Sequence, residues 1–503
     1  MNPNHVPEVS EIGPETGSRF PWRSALLLMA VAAALMVFTT PNELFSRWAF
    51  FDSGADLAIQ SMIARGLRPS IDFGYIYGLL PLAIGRVWQG LFGATPTACR
   101  AATLVCHLAL ACGLARFAST LRIGPAGILL MVVAMPDMLF TSTVVLVHVL
   151  EPALLINALA FQASGRRSTA LALATVCLFV KPTMAYLYGL VLVIEIILVE
   201  RRNAWKTMIP AALTGLGLAA LLAILYGPVP LIRTLLPGGG MAVYRAQKYG
   251  FFGEAGRQFW ILPGAGIRDY FRYEVGGWIV SALLLAIGGL VAAARLLRGS
   301  RSRVDGMILV CAILHTGFVL FFFGNRFSWI YYYSVMIAGV AAMAAWGKWP
   351  RRLVLAVALI IVAGSKVKAQ MNLDFWKINH PRPEMHGLWA SDSQLAEWLR
   401  VVEVTRDFRP IALLATAEGA TVLEPGMFLP ADCSYLVEGH TLPAEVRRKA
   451  DRIASASMVI STRDPDELGF WPEIVQALDG CRTVEKSGMF WILKRDRPPS
   501  PAR

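Results

Sequence analysis

The chain has 503 residues, of which 56% are hydrophobic and 16% charged, where soluble domains carry about 25% charged residues. This excludes a disordered chain, weighs against a soluble enzyme, and fits a protein that crosses a membrane many times. The 47 Lys and Arg against 34 Asp and Glu give a net charge of +13, an excess that such a protein collects in cytoplasmic loops and that does not mark nucleic-acid binding.

In chain order, Met1 to Trp22 is polar and Pro-rich and reads as a disordered cytoplasmic tail. Arg19 and Arg23 flank the first apolar run, and no small-residue cleavage site follows it, so it is read as a retained span. Basic clusters recur at Arg116 to Arg122, Arg166-Arg167, Arg201-Arg202 with Lys206, Arg295 to Arg303, and Lys348 to Arg352. If all are cytoplasmic, an even number of crossings separates each from the next. The apolar runs predict about 11 spans near 24–40, 98–116, 123–142, 149–164, 168–181, 183–199, 207–226, 275–294, 305–323, 329–346 and 352–366. The N-terminus is then inside and the C-terminus outside.

A membrane domain over 23–367 therefore presents outward loops at 41–97 and 226–274. Tyr77 to Phe92, with Arg86 and Trp88, reads as a helix lying in the interface, with a true span as the alternative. From 368 to 503 the composition changes to that of a small α/β domain on the periplasmic side. Ile411 to Thr416 and Ser457 to Ser461 suit buried strands, and Ser391 to Val402 and Pro443 to Ser455 suit helices. Thr483 to Lys494 reads as a hairpin turning at Ser487-Gly488. The seven cysteines show no metal-ligand spacing; the two in this domain, Cys433 and Cys481, are either a pair or two thiols.

The first outward loop carries Asp52-Ser53-Gly54-Ala55-Asp56, Gly66-Leu67-Arg68-Pro69 and Asp72-Phe73-Gly74, followed by Tyr77-Gly78. Acids beside hydrocarbon tend to be paired or functional. A solvated loop accounts for Asp56; Asp52 and Asp72 are the candidates for chemistry. Glu151-Pro152 opens the fourth span, where a helix first turn and its dipole already suit an acid and a proline. His148, just before, reads either as a polar interface residue or as a ligand. Lys181-Pro182-Thr183 interrupts an apolar stretch, where Lys181 either snorkels to water or meets an anion. The second outward loop is rich in cations, Arg245 and Lys248 among them, and Arg326 sits at a later outward turn. Outward cations oppose the positive-inside bias and invite an anion such as a lipid phosphate.

These motifs, in this order over about the first 200 residues, resemble the GT-C superfamily of membrane glycosyltransferases. The closer likeness is to the branch with protein O-mannosyltransferases and the lipid A aminoarabinose transferase. Asp52-Ser53-Gly54, Gly66-Leu67-Arg68-Pro69, Asp72-Phe73, Glu151-Pro152 and Lys181-Pro182-Thr183 carry the likeness. It implies a polytopic α-helical GT-C-like fold in a bacterial inner membrane. It also implies inverting transfer of a sugar from a polyprenyl-phosphate donor to an envelope glycan, lipid or protein acceptor. Asp52 would be the general base; Asp72 and Glu151 would position base or acceptor. Lys181, with Arg245, Lys248 and Arg326, would bind the lipid phosphate, with Tyr77 and His148 beside it. Ser53 replaces the second acid of the commoner Asp-Glu pair, and Tyr77 stands where a basic residue is common. The acid that helps bind a metal in some relatives has no clear counterpart, so a divalent cation, with Asp52 and Asp72 as its candidate ligands, stays open and no cofactor is required. The rival readings are an O-antigen polymerase or ligase, a transporter or lipid flippase, for which Glu195 within a span is the main cue, and a binding domain on a membrane anchor.

Overall fold

The structure, a computed structural model, describes residues 22–39, 41, 52–140, 146–236, 276–322, 333–385, 387–414, 426–432, 436, 441–462, 464–468 and 471–496. The described part is a helical bundle with a small sheet domain at one end.

Every apolar run expected to cross is a helix: α1 (Trp22–Thr39), α4 (Pro96–Leu121), α5 (Pro125–Phe140), α6 (Leu146–Ala163), α7 (Arg167–Leu178), α8 (Pro182–Glu200), α9 (Ala204–Tyr226), α11 (Gly276–Leu297), α12 (Arg303–Phe322), α13 (Tyr333–Met343) and α14 (Lys348–Ile378). Between them lie α2 (Asp52–Ala64), α3 (Leu80–Phe92) and α10 (Pro228–Leu235). Proline supplies the first turn of several, and Thr95 caps α4 by accepting from the Ala98 amide at 3.2 Å. Four described stretches, Ala98–Leu121, Leu146–Ala163, Pro182–Tyr226 and Val280–Leu297, are long and apolar enough to cross a membrane. α13 is buried along its whole length and forms the centre of the bundle. Its Gly339 lets α12 approach so closely that a Cβ there would stand 2.7 Å from Cys311 Cβ. On the outside, Ile224, Leu290 and Leu297 are 82%, 73% and 89% exposed, which suits hydrocarbon and not water.

The basic clusters share the end opposite the sheet domain. There Asp305, fully buried, accepts from Arg295 Nε at 3.0 Å, Ser300 Oγ at 2.7 Å and Trp346 Nε1 at 2.6 Å, tying together α11, α12 and the turn before α14. Arg167 meets Glu195 at 2.7 Å and Glu200 at 3.7 Å. Glu195, the cue for a carrier, is thus held at the basic end of the bundle, with Gln162 as its second partner.

α3 is 13 residues long, a rise of about 20 Å, shorter than the about 30 Å of a hydrocarbon core. Trp88 Nε1 donates to the Ala98 carbonyl at 2.7 Å and fastens α3 along the start of α4. α14 runs to Ile378, past the boundary expected at 367, and carries the chain into the sheet domain.

That domain has a short antiparallel pair, β1 (His380–Arg382) with β2 (Leu388–Ala390), and a four-stranded sheet in the order β3-β4-β6-β5. Its strands are β3 (Ala412–Leu414), β4 (Met458–Ser461), β5 (Cys481–Ser487) and β6 (Phe490–Arg495), with β3 parallel to β4 and the others antiparallel. The period of two divides the core. Val459 and Leu493 face α16 (Pro443–Ser455) and α17 (Pro472–Ala477), while Ile460 and Ile492 face Trp398 and Val401 of α15 (Asp392–Thr405). The strands, helices and hairpin match the sequence reading, and Gly488 adopts the positive φ of 55° that the turn requires. Cys481 is a half-buried thiol; Cys433 lies outside the described residues.

Candidate functional site

Three segments distant in sequence meet inside the bundle at the end that bears the sheet domain. The first is the break between α7 and α8. α7 stops at Leu178 after 12 residues, a rise of about 18 Å. Lys181 is extended (φ −154°, ψ 103°), as a residue before proline prefers, and Pro182 starts α8. The chain therefore turns back within the bundle, and Lys181 is buried there.

The second segment is the start of α6. Sequence placed Glu151 at the mouth of this span; instead at least five helical residues, from Leu146 on, precede Glu151 in α6. Asp56 of α2 accepts from the Leu146 amide at 3.0 Å and ties α2 to α6. The helix-end account of Glu151 gives way to an ion pair. Glu151 Oε2 lies 3.3 Å from Lys181 Nζ, with 1% and 11% of the two side chains exposed.

The third segment is the end of the first loop. Gly78 N donates to the Val180 carbonyl and Leu80 N to the Phe179 carbonyl, both at 2.9 Å. The loop thus satisfies carbonyls that the end of α7 leaves open. Gly78 is required by space: a Cβ there would stand 2.0 Å from the Phe179 carbonyl oxygen. This seats Tyr77 beside His148, with 3.4 Å between Tyr77 Oη and His148 Nε2 and ring centroids 5.4 Å apart at 85°. Tyr75 packs edge-on to Tyr77 at 5.8 Å. Of the residues singled out in the sequence, Tyr77, His148, Glu151 and Lys181 are brought together.

Asp72 is held differently. Its Oδ2 accepts from the Arg68 amide at 2.8 Å and Arg68 Nε at 3.1 Å, closing its own turn. Burial pushes this carboxyl up, but the side-chain and amide hydrogen bonds of Arg68, with the charges of Arg68 and Arg448, outweigh it and hold the group below its ordinary 3.8. A folded-state value below the unfolded one means that ionised Asp72 adds stability in full above the ordinary value, lost as pH falls through the folded one. Asp72→Asn is expected to lower stability by about 1 kcal/mol at pH 7, with the gap from wild type closing as pH falls from the ordinary 3.8 through the lower folded-state value. Thermal unfolding in detergent across that range checks it.

Asp52 lies in α2, four residues before Asp56. Arg245, Lys248 and Arg326 lie outside the described residues. Arg233, another cation of the second loop, donates to the Ser70 carbonyl at 2.6 Å and so braces the first loop. Among the described residues no three His, Cys, Asp or Glu side chains gather as a divalent cation would need, and Asp72 is engaged by Arg68. An apolar cavity of about 720 Å3 lies between α7, α8 and α9, lined by Leu171, Leu178, Ala185, Leu190, Met208 and Leu216 among others. Leu178 and Ala185 flank the Lys181 break.

Sequence reading missed Asp56, set aside as a loop acid. The signal was there: Leu57, Ala58 and Met62 recur at helical spacing, which makes Asp52 and Asp56 neighbours on one helix.

No family model matches the chain, and no curated protein matches it. Among solved structures it is similar to the crystal structure of ArnT from Cupriavidus metallidurans bound to undecaprenyl phosphate. The identity is 13% and the TM-score 0.49, over 95% of this chain and 99% of that one.

Proposed function

We propose that the chain is a GT-C-type inverting glycosyltransferase of a bacterial inner membrane. It moves a sugar from a polyprenyl-phosphate donor to an envelope glycan, lipid or protein acceptor. The observation that carries the reading is the convergence of Tyr77, His148, Glu151 and Lys181. They form a polar site recessed in an apolar bundle, next to an apolar cavity. A carboxylate and an ammonium buried together are costly unless they serve a partner or a function. A lipid phosphate matches such a site: its charge meets the buried ammonium of Lys181. Its isoprenoid chain suits the cavity between α7, α8 and α9.

In this reading the Asp52 carboxylate takes the proton from the acceptor hydroxyl. The acceptor oxygen bonds to the anomeric carbon. The bond from that carbon to the phosphate oxygen breaks, its electron pair leaves with the phosphate, and polyprenyl phosphate is released. Lys181 steadies the departing charge, with Arg245, Lys248 and Arg326 as further candidates. Glu151 orients Lys181, Tyr77 and His148 line the site, and Asp72 positions the loop. The basic clusters at the opposite end support a cytoplasmic assignment for that end, a cytoplasmic N-terminus and a periplasmic sheet domain.

The test uses purified protein in detergent, a panel of polyprenyl-phosphate sugars and a membrane extract as acceptor. Wild type is expected to release polyprenyl phosphate from one donor. Asp52→Asn is expected to bind that donor and release about 100-fold less or below. Equal release by the variant removes Asp52 from the mechanism, and no release from any donor removes the transfer reading.

A further inference from the structure

The sheet domain grips the very loop that delivers Tyr77 and Gly78 to the site. Residues 66 to 79 are irregular, so their backbone groups need partners from elsewhere. The loop makes some of its own: Ser70 N donates to the Phe73 carbonyl at 2.7 Å, and Ser70 Oγ to the Tyr75 carbonyl at 2.8 Å. Ser70 holds a positive φ of 60°, a conformation that a residue with a Cβ keeps only when its surroundings fix it. The sheet domain supplies further bonds. Glu445, fully buried in the first turn of α16, accepts from the Gly74 amide at 2.6 Å and from the Leu442 amide at 2.7 Å through the same oxygen. Arg448, one turn portion on, donates to the Asp72 carbonyl and reaches the Asp432 carbonyl at 3.4 Å.

Around these bonds lie opposite charges. Asp432, 3% exposed, is 3.3 Å from Arg452 of α16 and 3.8 Å from Arg65 at the end of α2. Ala431 packs into the apolar cluster that holds Phe73, Tyr75 and Leu79. Apolar contact alone would hold the domain to the bundle. Buried carboxylates add a geometric demand, because each is expensive unless its donors stand in one arrangement.

We propose that α16 is a brace for the active-site loop, and that Glu445 and Arg448 are positioning residues. They act through the Gly74 amide and the Asp72 carbonyl to fix the backbone three and five residues before Tyr77. The sheet domain then belongs to the catalytic unit by holding the loop, whatever else it binds. The effect on turnover rests on the transfer reading above; the effect on the loop does not.

The experiment is hydrogen exchange on the full chain in detergent, read over 66–80 and over β4 and β6, together with kcat and KM for donor turnover. Glu445→Ala is expected to speed exchange in 66–80 by about tenfold while β4 and β6 stay protected. It is also expected to lower kcat by about tenfold with KM changed by less than about twofold. Glu445→Gln keeps the one acceptor oxygen that serves both amides and is expected to restore both readouts. If Glu445→Ala unprotects β4 and β6, Arg448→Met, which removes the two carbonyl contacts and the charge beside Asp72, takes its place with the same expectations. Unchanged exchange over 66–80 with the sheet intact overturns the brace. Faster exchange with unchanged kcat overturns the positioning role. Absence of turnover in wild type overturns the transfer reading, and the exchange arm still decides the brace.

Discussion

Lys181→Met is expected to destabilise the protein by about 3–5 kcal/mol, because it leaves the Glu151 carboxylate, 1% exposed, without the ammonium 3.3 Å away. The second expectation separates structure from function. Adding Glu151→Gln to Lys181→Met removes the stranded charge, and the double variant is expected to recover most of that stability. Donor turnover is expected to stay lost, because the cation that meets the phosphate is gone. Thermal unfolding and turnover, measured side by side, check both. A double variant that regains turnover along with stability makes the pair a structural clip and nothing more.

Gly78→Ala carries the other large effect. The added methyl would sit 2.0 Å from the Phe179 carbonyl oxygen, 2.2 Å from its carbon and 2.8 Å from the Val180 nitrogen. All three are backbone atoms, so no side chain can swing aside. The loop must lift, which breaks the bonds from Gly78 N and Leu80 N to Val180 and Phe179. A loss of about 3 kcal/mol is expected, from the overpacking and the two bonds together. Tyr77 moves with the loop, so its contact with His148 is expected to go as well. Gly90→Ala is the control. Its position in α3 has nothing within 4 Å of the added carbon, and alanine in an open helical site is expected to stabilise by about 0.5–1 kcal/mol. Unfolding in detergent for the two variants gives opposite signs if the crowding at Gly78 is real.

The helices of the bundle were legible because hydrocarbon permits little but apolar helices, and each apolar run of the sequence is one. The sheet domain was legible for local reasons: Pro443 at a helix start, a short apolar run at 458–461, and glycine at the hairpin turn. What sequence could not supply are the contacts that make the site. Asp56, 90 positions away, accepts from the Leu146 amide of α6. Glu151 lies past the first turn of that helix and is the partner of Lys181. Gly78 stands in the first-loop motif, and its need comes from the carbonyl of Phe179. The grip of Glu445 on Gly74 joins residues 371 apart, and no local pattern announces such a bond. Asp72 was singled out for chemistry on its place in a motif, and its geometry ties it first to Arg68.

The most direct test of the central claim, a lipid-phosphate site built on Lys181, is equilibrium binding of polyprenyl phosphate in detergent. It compares wild type, Asp52→Asn and the Glu151→Gln/Lys181→Met double variant, each shown folded by its unfolding curve. Wild type and Asp52→Asn are expected to bind alike, and the double variant to bind about 30-fold more weakly or worse. Equal binding by all three would contradict the account.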